Sequence, residues 1–182
     1  MPTRVAVMQP YFLPYAGYFR LFATTDVFVL YDCVQFIRGG WIHRNRLVDA
    51  NGRRGWFTLP LVKCPRETLI RDMRFPDDTG ESIAARARPF PALRSTRPEL
   101  QELLSAVFSP GERLVPYLQE TLIKTCQTLG LACEIVRSSR LESPSAVSFN
   151  RVRNSPYVFT CADSMIPSCL SFSGSLPWWE RL

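Results

Sequence analysis

The sequence has a single histidine, His43, and only two lysines. Arginine therefore supplies almost all of the positive charge behind the net charge of +6, and its planar guanidinium suits phosphates and carboxylates. None of the six cysteines forms the Cys-x2-Cys spacing of a zinc knuckle. We expect no metal site.

Glycine-rich nucleotide-binding motifs are also missing. No Gly-x-Gly-x-x-Gly follows a predicted strand, and no Gly-x4-Gly-Lys-Ser/Thr is present. Ser173-Gly174-Ser175 lacks the preceding strand and the downstream histidine of a nucleophile elbow. These absences exclude the classical dehydrogenase, NTPase and serine hydrolase classes, and we expect no cofactor.

No long apolar run is present either. A membrane span needs roughly 20 apolar residues, whereas the apolar residues 27–31 are followed at once by Asp32. The N-terminal apolar stretch is too short for a signal peptide. We therefore expect a cytoplasmic protein without a membrane span, with its cysteines as free thiols. The 46% hydrophobic content is ample for a folded core.

Hydrophobic periodicity predicts an N-terminal βαβ unit. Residues 3–8 form a short β-branched and apolar run that ends before Pro10. Residues 14–24 place four aromatic side chains on one helical face. Residues 27–31 are continuously apolar, which is typical of a parallel strand covered on both faces.

The middle of the chain predicts a β-hairpin followed by helices. Residues 41–48 and 55–62 flank the turn sequence Asp49-Ala50-Asn51-Gly52, which favours an antiparallel pair. We also predict a strand over 69–75, helices over 98–108 and 115–130, and a returning strand over 132–137. The predicted fold class is α/β, with a short, mainly parallel sheet, an N-terminal βαβ unit, a β-hairpin and a helical middle region.

The composition changes near Glu142. Serines and aromatic residues are concentrated beyond it, and no helical or strand period persists. We therefore divide the chain into an α/β domain, residues 1–142, and an atypical tail, residues 143–182. A divergent end and a truncated or frame-shifted one are the two alternatives for this tail.

Unusual polar and aromatic residues are concentrated between Tyr31 and Arg46. They follow the second predicted strand, and ligands of open α/β sheets bind at the carboxyl ends of the strands. Gln9 and Tyr11 leave the first predicted strand at the same edge. We expect these two loops to converge.

Three segments in this region carry a resemblance to a known family: residues 8–15 (MQPYFLPY), 31–36 (YDCVQF) and 40–46 (GWIHRNR). Together they resemble the WbqC-like family, and the resemblance extends more loosely over about residues 4–142. Members of that family are often encoded with genes for O-antigen and other surface polysaccharides, so the resemblance implies modification of a sugar. The chain departs from the family pattern at Cys33, where a second acidic residue is common.

Asp32 and His43 are the catalytic candidates. The Asp32 carboxylate can accept a proton from a sugar amine or hydroxyl, although it can equally cap the following turn. Cys33 and His43 would form a nucleophile–base pair within hydrogen-bond reach. The alternative for that pair is a small buried thiol and a surface imidazole.

The remaining candidates suit substrate binding. Gln35 and Asn45 can bind sugar hydroxyls or satisfy the loop backbone, and Trp41 can stack on a ligand or fill the core. On an alternating strand, Arg44 and Arg46 share one face, which permits a phosphate clamp, although solvated surface is the alternative. The predicted substrate-binding residues are Gln9, Tyr11, Gln35, Trp41, Arg44, Asn45 and Arg46.

Three functions fit these residues. The first is a transferase that moves an acyl or aminoacyl group onto a nucleotide-activated amino sugar in O-antigen or surface-polysaccharide biosynthesis. The second is a non-catalytic partner subunit of a polysaccharide assembly, with the aromatic tail as its interaction surface. The third is a nucleic-acid-binding module, which the pI of about 9.2 favours and the modest charge and absence of a recognised motif oppose. The oligomeric state is left open by the sequence.

Overall fold

The computed structural model describes residues 3–141, 150–151 and 158–161. The strands are β1 (Thr3–Met8), β2 (Val27–Leu30), β3 (Arg44–Val48), β4 (Arg54–Thr58), β5 (Glu134–Arg137), β6 (Asn150–Arg151) and β7 (Val158–Cys161). The α-helices are α1 (Ala16–Thr24), α2 (Thr79–Ala87), α3 (Gln101–Phe108) and α4 (Leu114–Thr128). None of the helices in this described part is long and apolar enough to cross a membrane.

The main sheet has five strands in the order β5-β2-β1-β7-β6. β1, β2 and β5 are parallel, with Met8 beside Leu30 and Leu30 beside Arg137, whereas β7 is antiparallel to β1. The predicted α/β class, with its short and mainly parallel sheet, is therefore confirmed. The parallel strands bring the loops after β1, β2 and β5 to one edge.

The βαβ unit forms because β2 is apolar throughout and all four of its residues are buried. Phe28 packs on the α1 residue Phe22 with ring centroids 4.0 Å apart and planes nearly parallel, and α4 adds Leu122 to the same cluster. Val27 and Val29 face the other side of the sheet and pack with Val5. Burial of one such phenylalanine is worth about 1.5–3 kcal/mol, so this contact fixes α1 on the sheet.

The predicted hairpin is also confirmed, with β3 antiparallel to β4. Its turn is held by Asp49, whose Oδ1 accepts hydrogen bonds from the backbone N–H groups of Asn51 and Arg53 at 2.8 and 2.9 Å. Gly52 has a φ of 77°, which a glycine adopts without strain. The buried side chain of Phe57 joins the hairpin to a further hydrophobic cluster, which includes Phe12, Ile83 and Leu118.

One prediction in the middle of the chain needs correction, and one helix was not predicted. The strand predicted over 69–75 is wrong, since Ile70–Asp72 is a short 3₁₀ helix. The 3₁₀ helix forms because Ile70 and Met73 are three residues apart, so one turn buries both side chains on the same side. The helix that was not predicted is α2, whose buried face consists of Thr79, Ile83 and Ala87.

The other helices lie close to their predicted positions. α1 begins at Ala16 because Tyr15 has extended backbone angles, and α3 follows a 3₁₀ turn at Pro98–Leu100. α4 is followed by Gly130 in the left-handed region, with a φ of 65°. Apart from β6 and β7, the predicted tail lies outside the described residues, so the division at residue 142 stays a prediction.

Candidate functional site

Three loops meet at the carboxyl edge of the parallel strands. Gln9 directly follows β1, Ser138 directly follows β5, and Asp32 lies two residues beyond β2. The N–H of Tyr31 donates to the carbonyl of Met8 at 2.7 Å, which joins the first two of these loops. This is the edge where ligands bind in open α/β sheets.

Asp32 is the centre of this edge and is only 1% exposed. Its Oδ1 accepts hydrogen bonds from Ser138 Oγ at 2.7 Å and from the Ser139 N–H at 2.9 Å, and its Oδ2 accepts one from Ser139 Oγ at 2.6 Å. The N–H of Asp32 also donates to Ser138 Oγ at 3.1 Å. The carboxylate therefore ties the end of β2 to the end of β5.

Ser138 and Ser139 were not among the predicted site residues. Two consecutive hydroxyl side chains directly after a predicted parallel strand were the available signal, because such a strand ends at the same edge as Asp32. Ser138 is buried and Ser139 is exposed. Ser139 is therefore the exposed hydroxyl residue bonded to the buried carboxylate.

Two arginines, Arg71 and Arg137, lie near Asp32. The backbone N–H of Arg71 donates to the Asp32 carbonyl at 3.0 Å, and its side chain reaches the Cys33 sulfur at 3.8 Å. Burial is the main cause that lowers the pKa of Arg137, with the nearby Arg140 as a second cause. Its buried Nε has no hydrogen-bond partner among the described residues.

The structure does not join Cys33 to His43 within the described residues. The sulfur of Cys33 lies 3.8 Å from both Asp32 Oδ1 and Arg71 Nη1, whereas the ring of His43 packs on Phe36 with centroids 5.1 Å apart. Burial, and secondarily the charge of Arg44, lowers the pKa of His43 to about 4. The imidazole is therefore neutral near pH 7.

The cysteines of the described core, Cys33, Cys64, Cys126 and Cys133, are free thiols. No group of three or more His, Cys, Asp or Glu side chains in the described ranges is placed to hold a metal ion.

Gln35 and Asn45 hydrogen-bond the backbone. Gln35 Nε2 donates to the Arg66 carbonyl at 2.7 Å. Asn45 Nδ2 donates to the carbonyls of Phe12 and Leu13, and Asn45 Oδ1 accepts from the N–H of Arg46 at 2.7 Å. Asn45 therefore anchors the loop after β1, including Leu13 in its left-handed conformation with a φ of 45°.

Gln9 contributes both its backbone and its side chain to the edge. Its carbonyl accepts a hydrogen bond from the Tyr18 hydroxyl at 2.9 Å, which links the loop to α1. Its buried Nε2 has no hydrogen-bond partner in the described part of the chain. Gln9 therefore holds the loop after β1 against α1 through its backbone.

Beside this edge lies a surface that we call the aromatic–arginine face: Tyr11, Trp41, Trp56, Arg44 and Arg46. The Tyr11 and Trp41 rings are 5.9 Å apart, and the Trp41 and Trp56 rings are 5.2 Å apart. The guanidinium carbons of Arg44 and Arg46 lie 4.2 and 4.8 Å from the centroid of the Trp56 ring. The two arginines therefore share one face of β3, and Trp56 is the ring that brings them together.

The rings of this face are not core. Trp41 is 47% exposed and Trp56 is 41% exposed, so the core-filling alternative for Trp41 is wrong. Arg44 also donates from Nη2 to the Gly39 carbonyl, which fixes its position. Neither Arg44 nor Arg46 takes part in the ion pairs of the described residues. The face therefore combines exposed π surfaces with two guanidinium groups that no described carboxylate neutralises.

Comparison with known proteins identifies a family and a curated relative. The chain is similar to the uncharacterized protein Rv1507c of Mycobacterium tuberculosis, with 40% identity over 73 residues that cover 37% of this chain and 31% of that protein. The match thus spans less than a third of the relative's length. No solved structure matches the chain at a significant level. The WbqC-like protein family matches residues 9–155, which is well over half of the chain and includes both the three-loop edge and the aromatic–arginine face, so the chain belongs to that family.

Proposed function

We propose that the chain is a group transferase that moves an acyl or aminoacyl group onto a nucleotide-activated amino sugar in surface-polysaccharide biosynthesis. The observation that carries the proposal is the aromatic–arginine face beside the carboxyl edge of the sheet. Exposed rings next to cationic groups without carboxylate partners suit a ligand that has both a flat base and a diphosphate. Membership of the WbqC-like family agrees with a sugar ligand.

In this proposal the base of the nucleotide stacks on the tryptophans. Trp41 and Trp56 each leave more than two fifths of their surface exposed. Stacking of one base on an aromatic side chain is worth about 1–3 kcal/mol. Arg44 and Arg46 bind the diphosphate, since a guanidinium forms charge-assisted hydrogen bonds to phosphate oxygens. The sugar then extends toward Gln9 and the three-loop edge.

The transfer step uses the amine of the sugar as nucleophile. Its nitrogen attacks the carbonyl carbon of the donor, and the bond from that carbon to the donor's leaving group breaks. The proton lost by the amine passes to Ser139 Oγ while the Ser139 hydroxyl proton passes to Asp32 Oδ2, 2.6 Å away. The leaving group takes up this proton at the end of the reaction. Asp32 thus acts as base through Ser139, because the carboxylate itself is buried.

Calorimetry with uridine diphosphate as the probe tests the binding site. We expect Trp56→Ala and Arg46→Gln each to weaken binding about tenfold, which corresponds to about 1.4 kcal/mol. Trp56→Phe retains a ring and should bind more tightly than Trp56→Ala. Arg94→Gln, which removes the same charge from an exposed position elsewhere, is the control and should bind like the original chain. Equal losses in Arg46→Gln and Arg94→Gln would reduce the site to non-specific charge attraction.

Mass spectrometry tests the reaction. The chain is incubated with nucleotide-linked amino sugars and with acyl and aminoacyl donors, and the sugar is examined for the added mass of the group. We expect Ser139→Ala and Asp32→Asn to abolish the mass change while nucleotide binding is retained. Product formation at the original rate in both variants would remove the proton path from the proposal.

A partner subunit is the second candidate, because the same surface is an exposed apolar patch. Tyr15, which lies 6.3 Å from Tyr11, is 66% exposed and extends the patch. Exposed apolar patches of this kind also mark protein–protein contacts. A well-folded chain that binds no nucleotide or nucleotide sugar would favour this candidate over the transferase.

A further inference from the structure

A concave region that shares no residue with the aromatic–arginine face includes His43, the only histidine of the chain. It is a cavity of about 360 Å³. This volume lies within the range of about 300–1,000 Å³ that is typical of small-molecule sites. The residues that matter for its chemistry are Phe36, Leu59, Met73, His43, Arg38 and Lys63.

The inner wall of the cavity is apolar and closed. Phe36, Leu59 and Met73 are 7%, 1% and 2% exposed, respectively, so their side chains form a well-packed base. The N–H of Leu59 donates to the carbonyl of His43 at 2.8 Å, which fixes the histidine backbone at this wall. The cavity therefore offers apolar surface in a defined shape, which suits a hydrocarbon or aromatic group.

The ring of His43 also lines the cavity. With its pKa lowered to about 4 by burial, the ring is neutral near pH 7, so it adds no charge to the apolar wall.

The rim of the cavity is cationic. Arg38 and Lys63 are exposed, and Arg38 is held in place by a hydrogen bond from Nη2 to the Cys64 carbonyl. No acidic residue lines the cavity in the described part of the chain, and neither cation takes part in its ion pairs. The charge at the opening is therefore complementary to an anion.

We propose that this cavity binds a small carboxylate, with its apolar chain on Phe36, Leu59 and Met73 beside the His43 ring, and its anionic end at Arg38 and Lys63. The residues of the cavity support the binding of such a molecule independently of the proposed function. Its identification as the group that the enzyme transfers rests on the proposed function.

The single histidine makes the test direct, because the imidazole signal in a ¹H–¹³C NMR spectrum can come only from His43. Hexanoate is titrated into the full-length protein at pH 7. Acetate, which lacks the hydrocarbon chain, and 1-hexanol, which lacks the charge, are the comparison probes. We expect a saturable shift of the His43 signal with hexanoate. Acetate should bind at least about tenfold more weakly, since each buried CH₂ contributes to affinity.

Two exposed valines provide a matched pair of variants. Val62 lines the cavity and is 47% exposed, whereas Val48 lies at the end of β3, outside the cavity, and is 56% exposed. We expect Val62→Trp to abolish the hexanoate-induced shift and Val48→Trp to retain it. Arg38→Gln should weaken hexanoate binding several-fold, whereas Arg94→Gln should not. An unmoved His43 signal, or an equal shift in both tryptophan variants, would overturn the proposal and leave the cavity to water.

The same samples separate this inference from the proposed function. Val62→Trp lies outside the aromatic–arginine face, so it should bind uridine diphosphate like the original chain. Hexanoate binding without nucleotide binding would retain the cavity site and refute the transferase. Nucleotide binding without hexanoate binding would refute the cavity site alone.

Discussion

Replacement of Asp32 by alanine is the most informative perturbation of the fold. The substitution removes the acceptor for Ser138 Oγ and for the Ser139 N–H, at 2.7 and 2.9 Å, as well as for the Ser139 hydroxyl. Hydrogen bonds to a charged group contribute about 1.5–3 kcal/mol each. The Ser139 hydroxyl can bond water instead, so two bonds determine the cost. We expect a loss of about 3–6 kcal/mol in the free energy of unfolding.

The loss is large against a typical domain stability of about 5–15 kcal/mol. Urea unfolding at pH 7, followed by circular dichroism, measures it. Asp32→Asn is the matched control, because it keeps one oxygen for Ser138 and Ser139 while its amide faces a hydroxyl that can rotate to accept. We expect this variant to lose about 1–2 kcal/mol, and Ser139→Ala to lose less than about 1 kcal/mol.

A fall of less than about 1 kcal/mol for Asp32→Ala would refute the reasoning, because a carboxylate that joins two strand ends must cost more than a surface hydrogen bond. The comparison also separates structure from chemistry. Ser139→Ala should leave the free energy of unfolding nearly unchanged while it abolishes the proposed transfer.

The remaining predictions concern pH, backbone and core. Since the pKa of His43 falls from 6.5 to about 4 on folding, the unfolded chain takes up its proton first as the pH drops, and stability should decrease between pH 6.5 and 4. Solvent screening of the half-buried ring reduces this loss to about 1–2 kcal/mol, and urea unfolding of His43→Phe should lack it. Gly130→Ala should cost about 1–2 kcal/mol at its φ of 65°, as thermal melting of this variant beside Gly111→Ala will show. Phe28→Ala should cost about 3–5 kcal/mol in urea unfolding, because its ring stacks on Phe22 in the core.

The sequence was most informative where hydrophobic spacing is unambiguous. Val27–Leu30 are all apolar, with no polar residue at alternate positions, and they form a parallel strand buried on both faces. Residues 69–75 were ambiguous, because buried side chains at Ile70 and Met73 fit a turn as well as an irregular strand. α2 escaped prediction because Ile83 is its only large buried side chain.

The site was less predictable because it depends on strand pairing. Alternation along β3 correctly placed Arg44 and Arg46 on one side, but Trp56 lies opposite Arg46 only in the register that the hairpin turn sets. Likewise, Asp32 meets Ser138 only because β2 and β5 are adjacent in the sheet. The local sequence around these residues indicates neither the register of the hairpin nor the adjacency of β2 and β5.

The hydrogen bond between Asp32 and Ser138 spans 106 positions in the chain. A contact between such distant residues requires the intervening chain to close a large loop, which costs conformational entropy. The exposed Ser139 hydroxyl therefore reaches the carboxylate only once β5 has docked on β2. A partly folded chain with a complete hairpin already has Arg44, Arg46 and Trp56 together but lacks the hydrogen bond from Ser139 to Asp32, so in the proposed function the arginine pair forms before the proton path.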